Sequence, residues 1–395
     1  MRQDIVLKTK SPIHIGGRIQ ELGPLEFIIF GGRCYVVDES RLGRGLISQN
    51  RLDSLSVEIS RQGSRFSLKE FLQHLRLLNE GFLKNCTAYF SSTGINSSPR
   101  RIRPFIRDAF SCPFVPGSSI KGVIRTAVLY GSLKKMREES PENFNHCLIN
   151  VLKGKLQDFY RADEWKKSKP WFKDKTKSSM AEQVERQLMQ NFDLPVPGGY
   201  NRRGPTGQQR DIMRAVKVSD TQPLDKDTLS LVEVQVLSLT RENEVYLKTP
   251  VFVEVIPPET ELHFSIVLDE NILGDFAKKA GELPFKTLDD VLLLLKDFTA
   301  DLWEFESHYW NGVSGPGTLE MRDFYRHEPA GMRLGWGSGL SGASLLMLLP
   351  EDLRHELRDA LFEPREQFDF PKSRRAVMEG DRPQLPLGWV SISKV

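Results

Sequence analysis

The chain has 395 residues, of which 39% are hydrophobic and 27% charged, a globular composition with room for two domains. Its formal net charge of +3 is too small to indicate a nucleic-acid-binding protein, so that function must rest on where the charges lie. No long apolar run occurs, which excludes a membrane protein, and we expect a cytoplasmic one. The four cysteines have no regular spacing, so we expect neither a disulfide framework nor a metal site.

The first half of the chain predicts an opening strand, a hairpin and then helices. DIVLKTKSPIHIGG alternates like a strand, and LEFIIFGGRCYVVDES reads as a hairpin that turns at Gly31–Gly32. Leucines and phenylalanines at helical spacing predict a helix over 67–84. A charged block over about 141–191 is helical in character and interrupted by a proline, so we interpret it as an insertion.

The rest of the chain predicts a run of strands followed by helices. Three alternating runs over 229–270 are typical of strands joined in sequence order. Thr287, followed by Asp289 and Asp290, predicts the start of a long helix, and a shorter helix precedes the basic C-terminal segment. Because strands and helices do not alternate regularly, we expect an α+β fold with antiparallel sheets.

The stretch VPGSSIKGVIRTAVLYG, residues 115–131, resembles a phosphate loop. An ATP site is not expected, because Lys121 precedes the second glycine and no hydroxyl residue follows it. The stretch instead predicts a helix capped by Ser118 or Ser119, with an apolar stripe facing inward. Lys121 and Arg125 lie one turn apart off that stripe, so we predict an anion site; the alternative is an ordinary capped helix with two solvated cations.

A second glycine-rich stretch, RLGWGSGLSGASLLMLL, contains the pattern G-x-G-x-x-G. A dinucleotide site is not expected, because no buried strand precedes the pattern and no doubly wound sheet can follow it. We therefore expect no nucleotide cofactor. Glycines at this density suit a loop against which another backbone, of RNA or protein, lies closely. The candidate residues are Gly335, Gly337 and Gly339.

Arginines gather in three loops that are framed by glycine or proline. Guanidinium groups bind phosphate with two parallel hydrogen bonds, so such loops favour a basic surface that binds a phosphate backbone. The alternative is that they are solvated loop faces. The clusters contain Arg100, Arg101, Arg103 and Arg107; Arg202, Arg203, Arg210, Arg214 and Lys217; and Lys372, Arg374 and Arg375.

Several of these stretches resemble one known family. FVPGSSIKGVIRTA is similar to the helix-opening signature of the RAMP superfamily of CRISPR proteins, and LGWGSGLSG is similar to its C-terminal glycine-rich loop. SPIHIGG, DIMRAVKVSDTQPL and PLGWVSI resemble one branch, the fifth Csm subunit of type III-A effector complexes. The resemblance spans Ser11 to Ile392, and no matching stretch falls in the block 141–191.

The resemblance implies two ferredoxin-like, RRM-like RAMP modules. The first would cover residues 1–235 with the helical insertion, and the second 236–395 with the glycine-rich loop. It also implies a non-catalytic subunit that binds crRNA, caps the filament at the 3′ side of that guide and supports crRNA maturation in antiviral defence. The implied partners are the backbone RAMP subunit, the small helical subunit and host nucleases.

The resemblance also relates individual residues of this chain to motif positions of the family. Lys121 and Arg125 match the basic positions of the helix signature, and His14 matches the histidine of the opening strand motif. We infer that these residues, with the glycine-rich loop, Ser118, Ser119 and the arginine clusters, contact RNA. The strands carry no run of base-stacking aromatics, so we expect binding to the RNA backbone with little dependence on sequence.

Two other functions stay open from the sequence. His14 with Lys121 could form an acid–base pair, which would make the protein a metal-independent endoribonuclease that processes CRISPR RNA. The arginine loops could instead bind acidic proteins, which would make it a scaffold without RNA. A metal nuclease is not expected, because Asp289 and Asp290 are explained as helix-start acids and Cys147 beside His146 lacks further ligands.

Overall fold

The fold mixes two sheets with helices. A computed structural model describes residues 1–95, 97, 99–165, 182–190, 210–277, 283–362 and 371–395. Its elements confirm the expected α+β class. None of the described helices combines the length and apolarity that crossing a membrane requires.

The first sheet has five strands, and every neighbouring pair in it is antiparallel. Its spatial order is β5 (Val216–Val218), β8 (Glu261–Leu268), β1 (Arg2–Thr9), β12 (Trp389–Lys394) and β9 (Met332–Arg333). The central strand is β1, in which Ile5 lies opposite Phe264 of β8 and Lys394 of β12. The two ends of the chain therefore lie side by side in one sheet.

The main core lies between this sheet and two long helices, α5 (Gly117–Glu139) and α10 (Leu288–Asn311). Alternation along β1 turns Ile5 and Leu7 into the core, where both are fully buried. As predicted, α10 begins with Thr287, whose side chain accepts from the Asp290 N–H at 3.1 Å while the Asp290 carboxylate accepts from the Thr287 N–H at 2.9 Å.

The second sheet has seven strands. Its spatial order is β11 (Arg382–Pro386), β10 (Arg374–Glu379), β6 (Ser230–Leu239), β4 (Thr87–Thr93), β3 (Arg33–Val37) and β2 (Phe27–Phe30), with β7 (Val245–Val255) also paired to β6. The strand β6 has three neighbours because β7 fills one edge, while β4 and β10 share the other. The pair β4–β6 is parallel, and the remaining pairs are antiparallel.

Both sheets contain strands from the two halves of the chain. The five-stranded sheet joins β1 to β12, and the seven-stranded sheet joins β4 to β10 through β6. Residue 235, where we predicted a module boundary, lies within β6. The division into 1–235 and 236–395 stays a prediction, and the modules it describes would have to exchange strands.

Four short helices connect β3 to β4 and cover one end of the second sheet. They are α1 (Glu39–Ser48), α2 (Leu52–Gln62), α3 (Leu68–His74) and α4 (Glu80–Cys86). The single helix predicted over 67–84 is divided into α3 and α4, because the chain turns at Arg76 with φ of 58°. Such a left-handed residue cannot continue a right-handed helix.

The remaining α-helices surround the main core, except for Thr318–Tyr325, which packs in a second apolar cluster with Trp303 and Trp389. They are α6 (Pro141–Phe144), α7 (Asn150–Trp165), α8 (Glu182–Leu188), α9 (Glu270–Ala277), α11 (Thr318–Tyr325) and α12 (Glu351–Phe362). The described part of the block 141–191 is helical, as predicted. Phe144, Leu148 and Leu156 are buried in the same core as β1 and α5, so this block helps to build the core.

Candidate nucleic-acid interface

The glycine-rich loop, residues 335–342, lies against the segment that follows β1. The Trp336 N–H donates to the carbonyl of His14 at 2.9 Å. Gly335 has φ of 74°, and a Cβ atom there would overlap the His14 carbonyl oxygen and lie 3.1 Å from its carbon. Only glycine fits this position without strain, so the two sequence motifs are locked together by backbone contact.

The opposite side of the loop packs against the turn before β12. A Cβ atom on Gly337 would lie 2.7 Å from the Leu387 carbonyl oxygen, and the Leu334 N–H donates to the Gly388 carbonyl at 2.7 Å. The close backbone predicted beside the glycines is thus the protein's own chain at Gly335 and Gly337. Gly339, which is exposed and has φ of 64°, faces outward.

His14 is buried beneath the loop. It is 3% exposed, and its Nδ1 lies 2.7 Å from the Glu254 carbonyl, which can only accept, so Nδ1 carries the proton. Its ring meets the rings of Phe105 and Trp336 edge-on. Burial, and then the charge of Arg103, lower the pKa of His14 to about 4 against the opposing hydrogen bond. His14 is therefore neutral at physiological pH.

The structure gives His14 and Lys121 separate surroundings. His14 contacts Glu254, Phe105 and Trp336, whereas the charges that act on Lys121 are those of Asp211 and Arg125. None of the residues that contact His14 in this way is among those whose charges act on Lys121. A buried imidazole that donates Nδ1–H to a backbone carbonyl has a structural role.

Acid is expected to destabilise the protein through His14. Between pH 6.5 and about 4, His14 is protonated in the unfolded state but stays neutral in the folded state. The free energy of unfolding therefore falls as the pH is lowered. The total loss should be about 3 kcal/mol. Urea titrations at several pH values should show this loss reduced in His14→Asn. The exposed His327→Asn should keep the wild-type profile, and an unchanged profile in His14→Asn would contradict the assignment.

Two arginines stack on Trp336 and concentrate positive charge beside the loop. The Cζ of Arg375 lies 4.2 Å from the ring centroid, and that of Arg103 lies 5.1 Å from it. Arg375 Nη1 also donates to the Trp336 carbonyl at 2.8 Å. Burial lowers the pKa of Arg375, and the charges of Arg103 and Arg333 lower it further. Two of the predicted arginine clusters therefore meet at one aromatic ring.

Arg374 points to the other side of β10 from Arg375 and is buried. Its Nε lies 2.8 Å from Glu306 Oε2, and Arg333 Nη1 lies 3.4 Å from the same oxygen. Burial opposes ionisation of Glu306, but the charges of Arg374 and Arg333 lower its pKa overall. Arg374 thus lies beneath the surface, where it forms an ion pair with Glu306.

The first turn of α5 is capped differently from the prediction. The helix starts after Pro116 without a side-chain cap, so the interpretation of Ser118 or Ser119 as the cap is wrong. The carboxylate of Asp220 accepts from the Gly117 N–H at 2.7 Å instead. An acid from a distant part of the chain can take this place because a helix N-terminus favours negative charge.

Arg125 is held by acids, and Lys121 lies beside them. Arg125 Nη1 lies 2.6 Å from Asp211 Oδ2, and its Nη2 lies 3.1 Å from Glu185 Oε2. Burial lowers the pKa of Lys121, while the charge of Asp211 opposes this shift. Arg125 also lines a groove with Leu340 of the glycine-rich loop. The loop therefore has Arg125 on one flank and the Trp336 cluster on the other.

The other predicted residues differ in exposure. Arg100 and Arg101 are exposed, and Arg101 pairs with Glu21 at 3.1 Å. Arg214 is exposed, and Arg210 is partly buried. Arg202 and Arg203 lie outside the described residues. The structure thus brings Arg103, Arg375 and Arg125 to the loop, and it places Lys372 and Arg374 beside the loop in the lining of a shared cleft.

Sequence reasoning missed two buried acids. Glu254 is fully buried and accepts from Ser91, from the Phe105 N–H at 2.9 Å and from Arg107 at 3.3 Å. Glu306 is fully buried as well. A signal was present for both, because Glu254 interrupts an apolar strand and Glu306 falls on the apolar stripe of α10.

The described residues do not form a metal site. Across the described ranges, no three histidine, cysteine or acidic side chains converge as a metal site requires. The acids near the loop are instead engaged with arginines.

The fold and the site define an α+β protein in which a glycine-rich loop, flanked by arginines, closes over the segment after the first strand. This architecture agrees with the comparison with known families, in which the model of the RAMP superfamily matches residues 6–303. The chain belongs to the RAMP superfamily.

Individual proteins resemble the chain over most of its length. A Streptococcus thermophilus protein described as CRISPR system Cms protein Csm5 is 25% identical over 289 residues, which span 70% of this chain and 66% of that protein. A chain in the cryo-EM structure of a Csm–crRNA–target RNA ternary complex of a type III-A CRISPR-Cas system has a TM-score of 0.66 at 22% identity, with full coverage of both chains. The crystal structure of T. onnurineus Csm5 has a TM-score of 0.60 at 21% identity, covering 98% of this chain and 99% of that one.

Proposed function

We propose that the chain is a non-catalytic, RNA-binding subunit of a type III-A Csm complex. It caps the filament at the 3′ side of the crRNA and supports crRNA maturation in antiviral defence in the cytoplasm. The observation that carries this proposal is the glycine-rich loop with arginines on both flanks, in a RAMP protein that resembles Csm5 and a chain of a Csm–crRNA complex.

The chemistry of the site favours binding over cleavage. Arginine forks at Trp336 and an exposed Gly339 suit a ribose-phosphate backbone, which carries charge but no sequence information. The histidine that could act as a general base is neutral and buried under the loop. Base pairing by the guide would then supply the specificity.

The proposal includes partners and modules. The partners are crRNA, the backbone RAMP subunit, the small helical subunit and host nucleases that trim the guide. The two sheets would be the cores of two ferredoxin-like modules that exchange strands. Similarity over the full length of a chain from a Csm complex supports this arrangement, because it covers both sheets.

RNA recovery tests the assembly. The tagged chain should be purified at moderate salt from cells that carry its neighbouring genes, and the bound RNA sequenced. We expect short RNAs with a shared repeat-derived 5′ tag, together with other RAMP proteins. A chain that emerges alone and free of RNA would contradict the proposal.

The charge at Lys121 should contribute to RNA binding without sequence preference. Lys121→Glu leaves the ion pairs of Arg125 in place. We expect the amount of bound guide RNA to fall roughly three- to tenfold for every spacer sequence, because one phosphate contact is lost. Lys135→Glu, farther along the same helix, is the matched control and should retain wild-type levels of RNA. A loss restricted to some spacers would show that bases are read here.

A further inference from the structure

A cleft of about 400 Å³ opens beside the glycine-rich loop. Its floor contains Glu306, and its walls are formed by the loop and by the start of β10. The volume is within the range of small-ligand sites. The charged residues that line it include Lys248, Arg333, Arg358, Arg374 and Arg375.

The walls of this cleft carry excess positive charge. Arg333 and Arg374 share a single carboxylate, that of Glu306. Arg375 donates to the neutral carbonyl of Trp336, and burial lowers its pKa. Arg358 is paired with Asp359 at 2.7 Å. The other three guanidinium groups, against one carboxylate, leave two positive charges, and the exposed Lys248 adds a third at the rim.

Two guanidinium donors in the cleft wall lack acceptors. Arg374 Nη2 and Arg375 Nε are buried and find no hydrogen-bond partner within the described chain. Arg374 is 6% exposed, so water does not readily reach its Nη2. A buried charged donor without an acceptor costs more than an ordinary lost hydrogen bond. An oxyanion in the cleft, which both arginines line, would supply the missing acceptor to the donor on its side of β10.

We propose that this cleft binds a phosphomonoester, the dianionic phosphate at the end of a nucleotide. A phosphomonoester carries a charge of about −1.5 to −2 near neutral pH, which balances the two excess guanidinium charges of the walls. A phosphodiester within a continuous RNA strand carries one charge and would leave the cleft positive. The source can be the terminal phosphate of an RNA, in which case the inference rests on the proposed function, or a free nucleoside monophosphate.

The test uses the full chain and RNAs of one sequence that end in hydroxyls, in a 3′ phosphate or in a 5′ phosphate. Fluorescence anisotropy gives the Kd of each RNA, and thermal unfolding with inorganic phosphate and AMP probes the free ligands. Arg375→Gln removes one unsatisfied donor, and Lys248→Gln removes the exposed rim charge without disturbing a buried contact. The exposed Arg326→Gln is the control.

We expect one phosphate-ended RNA to bind at least tenfold more tightly than the hydroxyl-ended RNA. This preference should be lost in Arg375→Gln, weakened in Lys248→Gln and kept in Arg326→Gln. Stabilisation by AMP or phosphate, lost in Arg375→Gln, would identify the free ligand as the source. Equal Kd values without stabilisation would overturn the inference while leaving RNA binding intact. Failure of every RNA to bind would overturn the proposed function, and the AMP and phosphate arm would then decide the cleft alone.

Discussion

Glu306→Gln is expected to lower the free energy of unfolding by about 3–5 kcal/mol, because it breaks a buried charge network by removing one partner. Glu306 is fully buried between Arg333 and Arg374, and Ser341 Oγ donates to its other oxygen at 3.2 Å. Glutamine keeps the shape but not the charge. Two guanidinium groups would then face each other without a counterion.

Urea denaturation at pH 7 measures this loss. The matched control is Glu259→Gln, because Glu259 also pairs with a cation but is exposed. Its variant should unfold at the wild-type urea midpoint, since exposed ion pairs contribute little. If the two variants unfold alike, the charge of Glu306 is not what stabilises this region.

Much of the fold could be predicted because its signals are local. The hairpin at Gly31–Gly32 is confirmed as β2 and β3, and the three runs over 229–270 are confirmed as β6, β7 and β8. The helix start at Thr287 is confirmed as well, and the structure adds a capping box there. In each case, alternation, turn residues or a cap lies within a few positions of the element that it predicts.

The C-terminal strands could not be predicted in the same way. PKSRRAV reads as a basic loop, yet β10 begins at its arginines and pairs with β6. The last strand, β12, lies beside β1, more than 370 residues earlier in the chain. Such pairing depends on tertiary packing of both strands, which no local window contains.

The candidate site shows the same division. The sequence identifies the glycine-rich loop as a candidate site, but it does not indicate that the loop closes over His14. Nor does it separate Arg374 from Arg375. Neighbouring residues on a strand point to opposite faces, so one meets Glu306 and the other meets Trp336. Their different roles follow from what the fold places on each face.

Gly335→Ala is expected to lower the free energy of unfolding by about 3–5 kcal/mol, because it combines left-handed strain with a clash against a backbone that cannot move aside. The new methyl group would overlap the carbonyl oxygen of His14. Relief requires the loop to separate from the strand motif, which would move Trp336 and its two stacked arginines. RNA binding should therefore weaken in the fraction that stays folded.

Two other glycines separate the causes of this loss. Gly339 has φ of 64° but open surroundings, so Gly339→Ala should cost only about 1–2 kcal/mol from backbone strain. Gly122 lies within α5 with nothing near its Cβ position, so Gly122→Ala should stabilise the protein by about 0.5–1 kcal/mol. Thermal or urea unfolding of the three variants should give this order. If Gly335→Ala costs no more than Gly339→Ala, the loop is not held against His14, and the arginines lack the fixed platform on which RNA binding is proposed to depend.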